Sequence, residues 1–275
     1  LKREVLAPAD WIEPLGAYRA WMTAARKSPG TIYQHGYHLR RYAADTRVGP
    51  WASTLEQLVA YLGALEVGDS ALRLKRQALR GFYSWARIVG RMDDNPAASI
   101  PSIRAVPGIP RPAPEHAVRV GRRNADARVR LMIELAVNAG LRCCEVCKVH
   151  TDDVLPDLVG WSLLVRGKGK RQRTVPLSDE LAHALRDRDA GYVFPGRVDG
   201  HLSAARVSEL VSEALPPGVT AHPLRHRYGT RAYELGGRDI RAVQELLGHA
   251  YVSTTQVYTF VSDESKRRAS LAAAS

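Results

Sequence analysis

Five prolines fall within fourteen residues of this chain: Pro101, Pro107, Pro110, Pro112 and Pro114. Each proline fixes φ and removes a backbone donor, so neither a helix nor an inner strand runs through such a stretch. Residues 101–114 therefore predict a stiff, extended connection. The chain should fold as two blocks, 1–105 and 115–275, with residues 106–114 as the linker. A length of 275 residues leaves each block enough chain for a core of its own.

The first block reads as helices. Trp11 to Ala25 carries apolar residues at helical spacing. Ser28-Pro29-Gly30-Thr31 interrupts it and starts a second helix, in which Tyr33, Tyr37, Leu39 and Tyr42 divide between core and surface. Thr54 suits the cap of a third helix, Leu55 to Leu65. Asp69 or Ser70 suits the cap of a fourth, Ala71 to Val89, with Leu72, Leu79, Phe82 and Trp85 on one side. In the second block, Arg128 to Ala139 predicts an apolar helix ending at Gly140, and a new helix begins near Cys143. Trp161 to Val165 and Arg173 to Pro176 are short strands on either side of Gly167-Lys168-Gly169-Lys170, a hairpin with a basic turn. Helical patterns resume from Ser178. The expected fold class is mainly α: a helical N-terminal domain, then a mostly helical domain with a small antiparallel β-sheet.

Charge narrows the partners. Residues 1–105 hold 15 basic and 9 acidic residues, and residues 106–275 hold 25 and 19, a net of +6 in each part. Both blocks thus suit a polyanion, with nucleic acid as the first candidate. Cys143, Cys144 and Cys147 are the three cysteines. An odd, clustered set makes a poor disulfide framework, and no second Cys/His pair complements Cys144-x-x-Cys147, so these residues predict core packing rather than zinc. No metal and no cofactor are expected. No apolar run reaches membrane-spanning length and no signal peptide is visible, which predicts an intracellular protein.

The chemistry concentrates toward the C-terminal end. Transfer of a phosphoryl group to a protein nucleophile needs positive donors on the non-bridging oxygens, an in-line nucleophile, and an acid for the leaving oxygen. Arginine suits the first role because its fork bonds two oxygens at once. Arg142 stands at the junction of two helices. His222-x-x-Arg225 puts two side chains on one helical face. Lys168 lies in a hairpin turn, with Lys170 as a rival two residues on. His249 follows Gly248, and Tyr258 comes nine residues later. Each of these alone is an ordinary surface or core residue.

Taken in order, they resemble the tyrosine recombinase, or phage integrase, family. The motifs are Ala139-Gly140-Leu141-Arg142, Arg166-Gly167-Lys168-Gly169-Lys170, His222-Pro223-Leu224-Arg225-His226, Leu247-Gly248-His249 and Val257-Tyr258-Thr259. The helical first block is similar to the family's core-binding domain, so the resemblance spans nearly the whole chain. It implies that Arg142 and Arg225 clamp the scissile phosphate while His222 and His249 hydrogen-bond it and assist proton movement. Lys168 would protonate the 5′-hydroxyl leaving group. Tyr258 would attack to give a 3′-phosphotyrosyl link, and Glu145 would support the site. Two positions depart from the common pattern: Cys144 stands where a serine is usual, and Phe260 where many members have histidine.

The resemblance further implies double-stranded DNA core sites as substrate, a homotetramer on two paired sites, and room for an accessory protein. The chain begins directly with the core-binding block, which suggests a two-domain recombinase without an arm-binding domain. Phage integrases and chromosome-resolving recombinases share these motifs, and both stay open. So do two rivals: a type IB topoisomerase using the same chemistry, and a non-catalytic DNA-binding protein of the same fold.

Overall fold

Side-chain caps set two of the four helix starts of the first block, those of its second and third helices. The computed structural model describes residues 5–104, 111–167 and 172–248. The chain divides into two compact units, Leu1–Pro107 and Gly108–Ser275. The first unit holds α1 (Ala9–Ala24), α2 (Pro29–Thr46), α3 (Leu55–Gly63) and α4 (Asp69–Ile88). Ser28 accepts from the Thr31 amide at 3.2 Å to start α2. Thr54 and Gln57 exchange backbone-to-side-chain bonds of 3.3 and 3.0 Å, a capping box that starts α3. The fourth helix begins earlier than expected. Gly68 is its cap, and Asp69 sits in the first turn, where its charge complements the helix dipole.

An aromatic core joins these helices. Trp11, Tyr42, Phe82 and Tyr83 are fully buried, with Leu39, Leu58 and Leu79 between them. The polar tips find partners: Tyr42 and Tyr83 both reach the Ser53 hydroxyl, at 2.9 and 2.6 Å, and the Trp11 indole donates to the Val48 carbonyl at 2.9 Å. Tyr33, by contrast, is exposed. Arg76 and Arg80 on α4 donate to the carbonyls of Ile100 and Ala98, tying down the chain as it enters the proline-rich stretch. Ile100 belongs to this first core.

Near the start of the second unit, Ala113 is buried in its core and donates its amide to the Pro223 carbonyl at 2.9 Å. Next come α5 (Glu115–Asn124), α6 (Ala127–Asn138) and the single-turn α7 (Cys143–Val146). Strands β1 (Val154–Pro156), β2 (Trp161–Arg166) and β3 (Gln172–Leu177) form an antiparallel sheet in the order β1-β2-β3. Then follow α8 (Asp179–Arg186), β4 (Pro195–Val198), α9 (Ala204–Ala214), α10 (Ala221–Leu235) and α11 (Ile240–Leu247). Helix α6 is the centre of this core. Asp126 caps it, and Leu131, Met132, Ile133 and Leu135 are all buried, so it is covered on nearly every side.

The expected fold class holds: mostly helical, with one small antiparallel sheet. Strand β1 was not anticipated, because three residues ending in Pro156 carry too little alternation to read. Leu163 faces Val175 across the β2–β3 pair, and Val165 faces Arg173. That register puts Arg173 on the core side of the sheet, in phase with Val175.

Candidate active site

The site starts at the turn after α6. Gly140 has φ +64°, and a Cβ there would lie 2.3 Å from the Tyr228 ring. Only glycine satisfies both the left-handed backbone and the ring packed on it. The turn closes with the Leu141 amide donating to the Leu135 carbonyl at 3.1 Å. This fold-back delivers Arg142 to the N-terminus of α7, with its side chain 38% exposed.

Glu145, one turn on, is a buried carboxylate among three guanidinium groups. Arg142 donates its amide to Oε2 at 2.9 Å and Nη1 to Oε1 at 2.8 Å. Arg173 engages both oxygens, Nη1 to Oε1 and Nη2 to Oε2, each at 2.9 Å. Arg225 approaches Oε2 at 3.5 Å. Burial pushes the Glu145 carboxyl up, but Arg173's bonds and charge, the Arg142 amide and Arg225 more than reverse this, and its pKa falls to about 2. Three cations around one anion leave the cluster net positive.

The same arginines grip the end of α11. Arg225, almost wholly buried, donates Nη1 to the Gly140 carbonyl and Nη2 to the Leu247 carbonyl at 2.6 Å. Arg142 reaches Leu247 at 3.5 Å, and Arg173 Nε reaches the Leu246 carbonyl at 2.7 Å. Cations therefore satisfy the negative end of the helix. Gly248 terminates it at φ +62°, and a Cβ there would lie 3.0 Å from the Arg173 side chain. Gly248→Ala is expected to lower stability by about 1 kcal/mol from the left-handed backbone alone, read as a fall in unfolding midpoint. An unchanged midpoint would show that the turn is not held in this conformation.

Helix α10 carries His222 and Arg225 on one face, as their spacing predicted. His222 is half-buried, and burial, Arg225 and Arg142 all lower its pKa. At neutral pH it is thus an uncharged imidazole, able to accept or pass a proton. His226 lies edge-on to it with ring centroids 4.3 Å apart. Burial, His222 and Arg225 bring the His226 pKa down to about 4.

Of the residues singled out in the sequence, Arg142, Glu145, His222 and Arg225 come together here. Lys168, Lys170, His249 and Tyr258 lie outside the described residues. The sequence reading assigned no role to Arg173 or Tyr228. Arg173 did carry a signal: a charged side chain in phase with the inward residues of a strand must find a buried partner. The cysteines correct the expectation of uniform core packing: Cys147 is buried and Cys144 is exposed. Among the described residues no His/Cys/Asp/Glu group is arranged to hold a metal ion, and no helix is long and apolar enough to cross a membrane.

The profile of the phage integrase family matches residues 116–265. Tyrosine recombinase XerC of Xanthomonas axonopodis pv. citri (strain 306) is 35% identical over 226 residues, covering 74% of this chain and 72% of that protein. Tyrosine recombinase XerC of Xylella fastidiosa (strain M23) is 37% identical over 223 residues, covering 74% and 75%. A solved lambda integrase dimer bound to a COC′ core site shares the fold, with a TM-score of 0.69 at 18% identity over 90% of this chain and 76% of that one. XerH recombinase in a pre-cleavage complex with its difH substrate does so with a TM-score of 0.64 at 19% identity, over 98% and 90%. The profile spans more than half of the residues, and the two XerC relatives are over a third identical across about three quarters of the chain; the chain belongs to the phage integrase family of tyrosine recombinases.

Proposed function

We propose that this protein recombines double-stranded DNA at specific core sites, cutting and rejoining strands through Tyr258. The observation that supports this best is the arginine cluster on Glu145. It is net positive, preorganised by buried bonds, and holds Arg142 partly exposed beside a neutral His222. Such a cluster suits the charge that builds on non-bridging phosphate oxygens. Arg142 and Arg225 would form the phosphate clamp, with Arg225 so deeply held that it also fixes the clamp's geometry.

In the proposed step, the Tyr258 oxygen forms a bond to the scissile phosphorus and its proton passes to a neighbouring base, His222 or His249. The bond from phosphorus to the 5′-oxygen breaks, and Lys168 gives that oxygen a proton. The 3′-phosphotyrosyl link conserves the phosphodiester energy. A 5′-hydroxyl from a second duplex then reverses the reaction, passing through a Holliday junction. Exchange between two duplexes calls for four protomers, with residues 1–105 as the core-binding part and 115–275 as the catalytic part. The protein would act inside the cell, where its DNA is.

Because the phosphate charge is met by side chains, strand cleavage is expected to proceed in EDTA and without ATP. The experiment incubates the protein with nicked duplexes from its own genomic neighbourhood and resolves covalent adducts on denaturing gels. Adducts in EDTA, with junctions recovered by sequencing, support the reading. A strict requirement for a divalent ion in cleavage overturns it. Relaxation of supercoiled plasmid without strand exchange would instead identify a topoisomerase.

A further inference from the structure

We propose that Arg173 is a positioning residue for strand cleavage, acting through Glu145 and the carbonyl end of α11. This rests on the function proposed above. One side chain joins three segments that are remote in sequence. Its backbone lies on β3, the strand that leaves the basic hairpin. Its two terminal nitrogens hold both Glu145 oxygens at 2.9 Å, and its Nε holds the Leu246 carbonyl at 2.7 Å. Each of its three side-chain nitrogens donates to one of these protein acceptors, so the fork is committed to them.

The consequence follows from what those partners hold. Glu145 orients Arg142 through its amide and its guanidinium. The next carbonyl of α11, Leu247, takes Arg225 and Arg142. Arg173 thus fixes the spacing between the exposed donor, Arg142, and the buried one, Arg225. Reaction rates are steep in such spacing, since a misplacement of about 1 Å costs roughly a hundredfold. Lysine is no substitute here: an ammonium is a point donor, and three acceptors arranged around a planar fork need the guanidinium.

The test measures single-turnover cleavage of a nicked core-site duplex by the full chain, with DNA affinity and thermal unfolding alongside. R173Q is expected to cleave roughly a hundredfold more slowly while DNA affinity stays within about threefold. R173K should recover thermal stability but not rate. A substrate with a 5′-phosphorothiolate leaving group, which needs little protonation, should not rescue R173Q, because Arg173 serves the clamp and not the leaving-group acid. The double variant E145Q/R173Q should be no slower than the slower single variant, since both act on the same donors.

Affinity falling in step with rate would make Arg173 a DNA contact and overturn the proposal. So would full recovery by R173K, rescue by the phosphorothiolate, or multiplicative losses in the double variant. Adducts from the unsubstituted protein with unchanged rates in R173Q overturn this inference alone. Absence of adducts from the unsubstituted protein overturns the functional reading together with it.

Discussion

Replacing Tyr258 by phenylalanine is expected to abolish covalent protein–DNA adducts while leaving DNA binding intact. Phenylalanine keeps the ring and loses only the hydroxyl, so the proposed nucleophile disappears and little else changes. Removing an oxyanion donor typically leaves residual catalysis, about a hundredth to a thousandth of the rate. Removing the attacking atom leaves no path to a phosphotyrosine at all. Affinity should persist because many phosphate contacts are expected to supply it, both blocks being net basic. The assignment rests on spacing: α11 ends at Leu247, Gly248 and His249 follow, and Tyr258 stands nine residues after His249. Tyr251 lies seven residues nearer and makes the control. Denaturing gels on nicked duplexes, with mobility shifts for binding, read both variants. Adducts that persist in Tyr258→Phe and vanish in Tyr251→Phe would move the nucleophile.

The residues legible in the sequence were those whose chemistry is tied to a local pattern. Gly140-Leu141-Arg142 is readable because a left-handed turn demands glycine between two helical stretches, and the structure gives Gly140 φ +64°. His222 and Arg225 are readable because helical spacing puts them on one face. What escaped were partners fixed by tertiary packing. The Tyr228 ring that seals Gly140 is one more aromatic in a helix until the turn is seen beneath it. Arg173 is one more basic residue near a basic turn until the register sets it opposite Val165. Strand β1 has three residues and a terminal proline, so it forms only because β2 offers it an edge. The helix starts were closer to hand, since Ser28 and Thr54 cap locally. The expected cap of the fourth helix, Asp69 or Ser70, lies inside it, because the actual cap, Gly68, has no side chain to announce it.

Glu145→Gln should be the most disruptive single change among the described residues of the site. The carboxylate is almost fully buried and touches three guanidinium groups. Glutamine keeps the shape, removes the charge, and turns an NH₂ toward cations. Arg173 is then buried without this counter-ion, a situation that typically costs about 3–5 kcal/mol. The ionisation itself gives a similar figure: a pKa held at about 2 in the folded state, against an ordinary value of 4.5, corresponds to about 3 kcal/mol. Because the folded pKa is depressed, that stability is fully present above pH 4.5 and is lost as pH falls toward 2. The second unit of the variant should therefore unfold roughly 10 °C lower at neutral pH. The gap between the two proteins should narrow in acid, where the native carboxyl protonates and comes to resemble the amide. Cleavage should fall with it, by on the order of a hundredfold or more, because Arg142 loses the group that aims it. Thermal unfolding at neutral and acid pH, paired with single-turnover cleavage below both midpoints, separates the two effects. A pH-independent difference in stability would mean that Glu145 holds the arginines by shape rather than by charge.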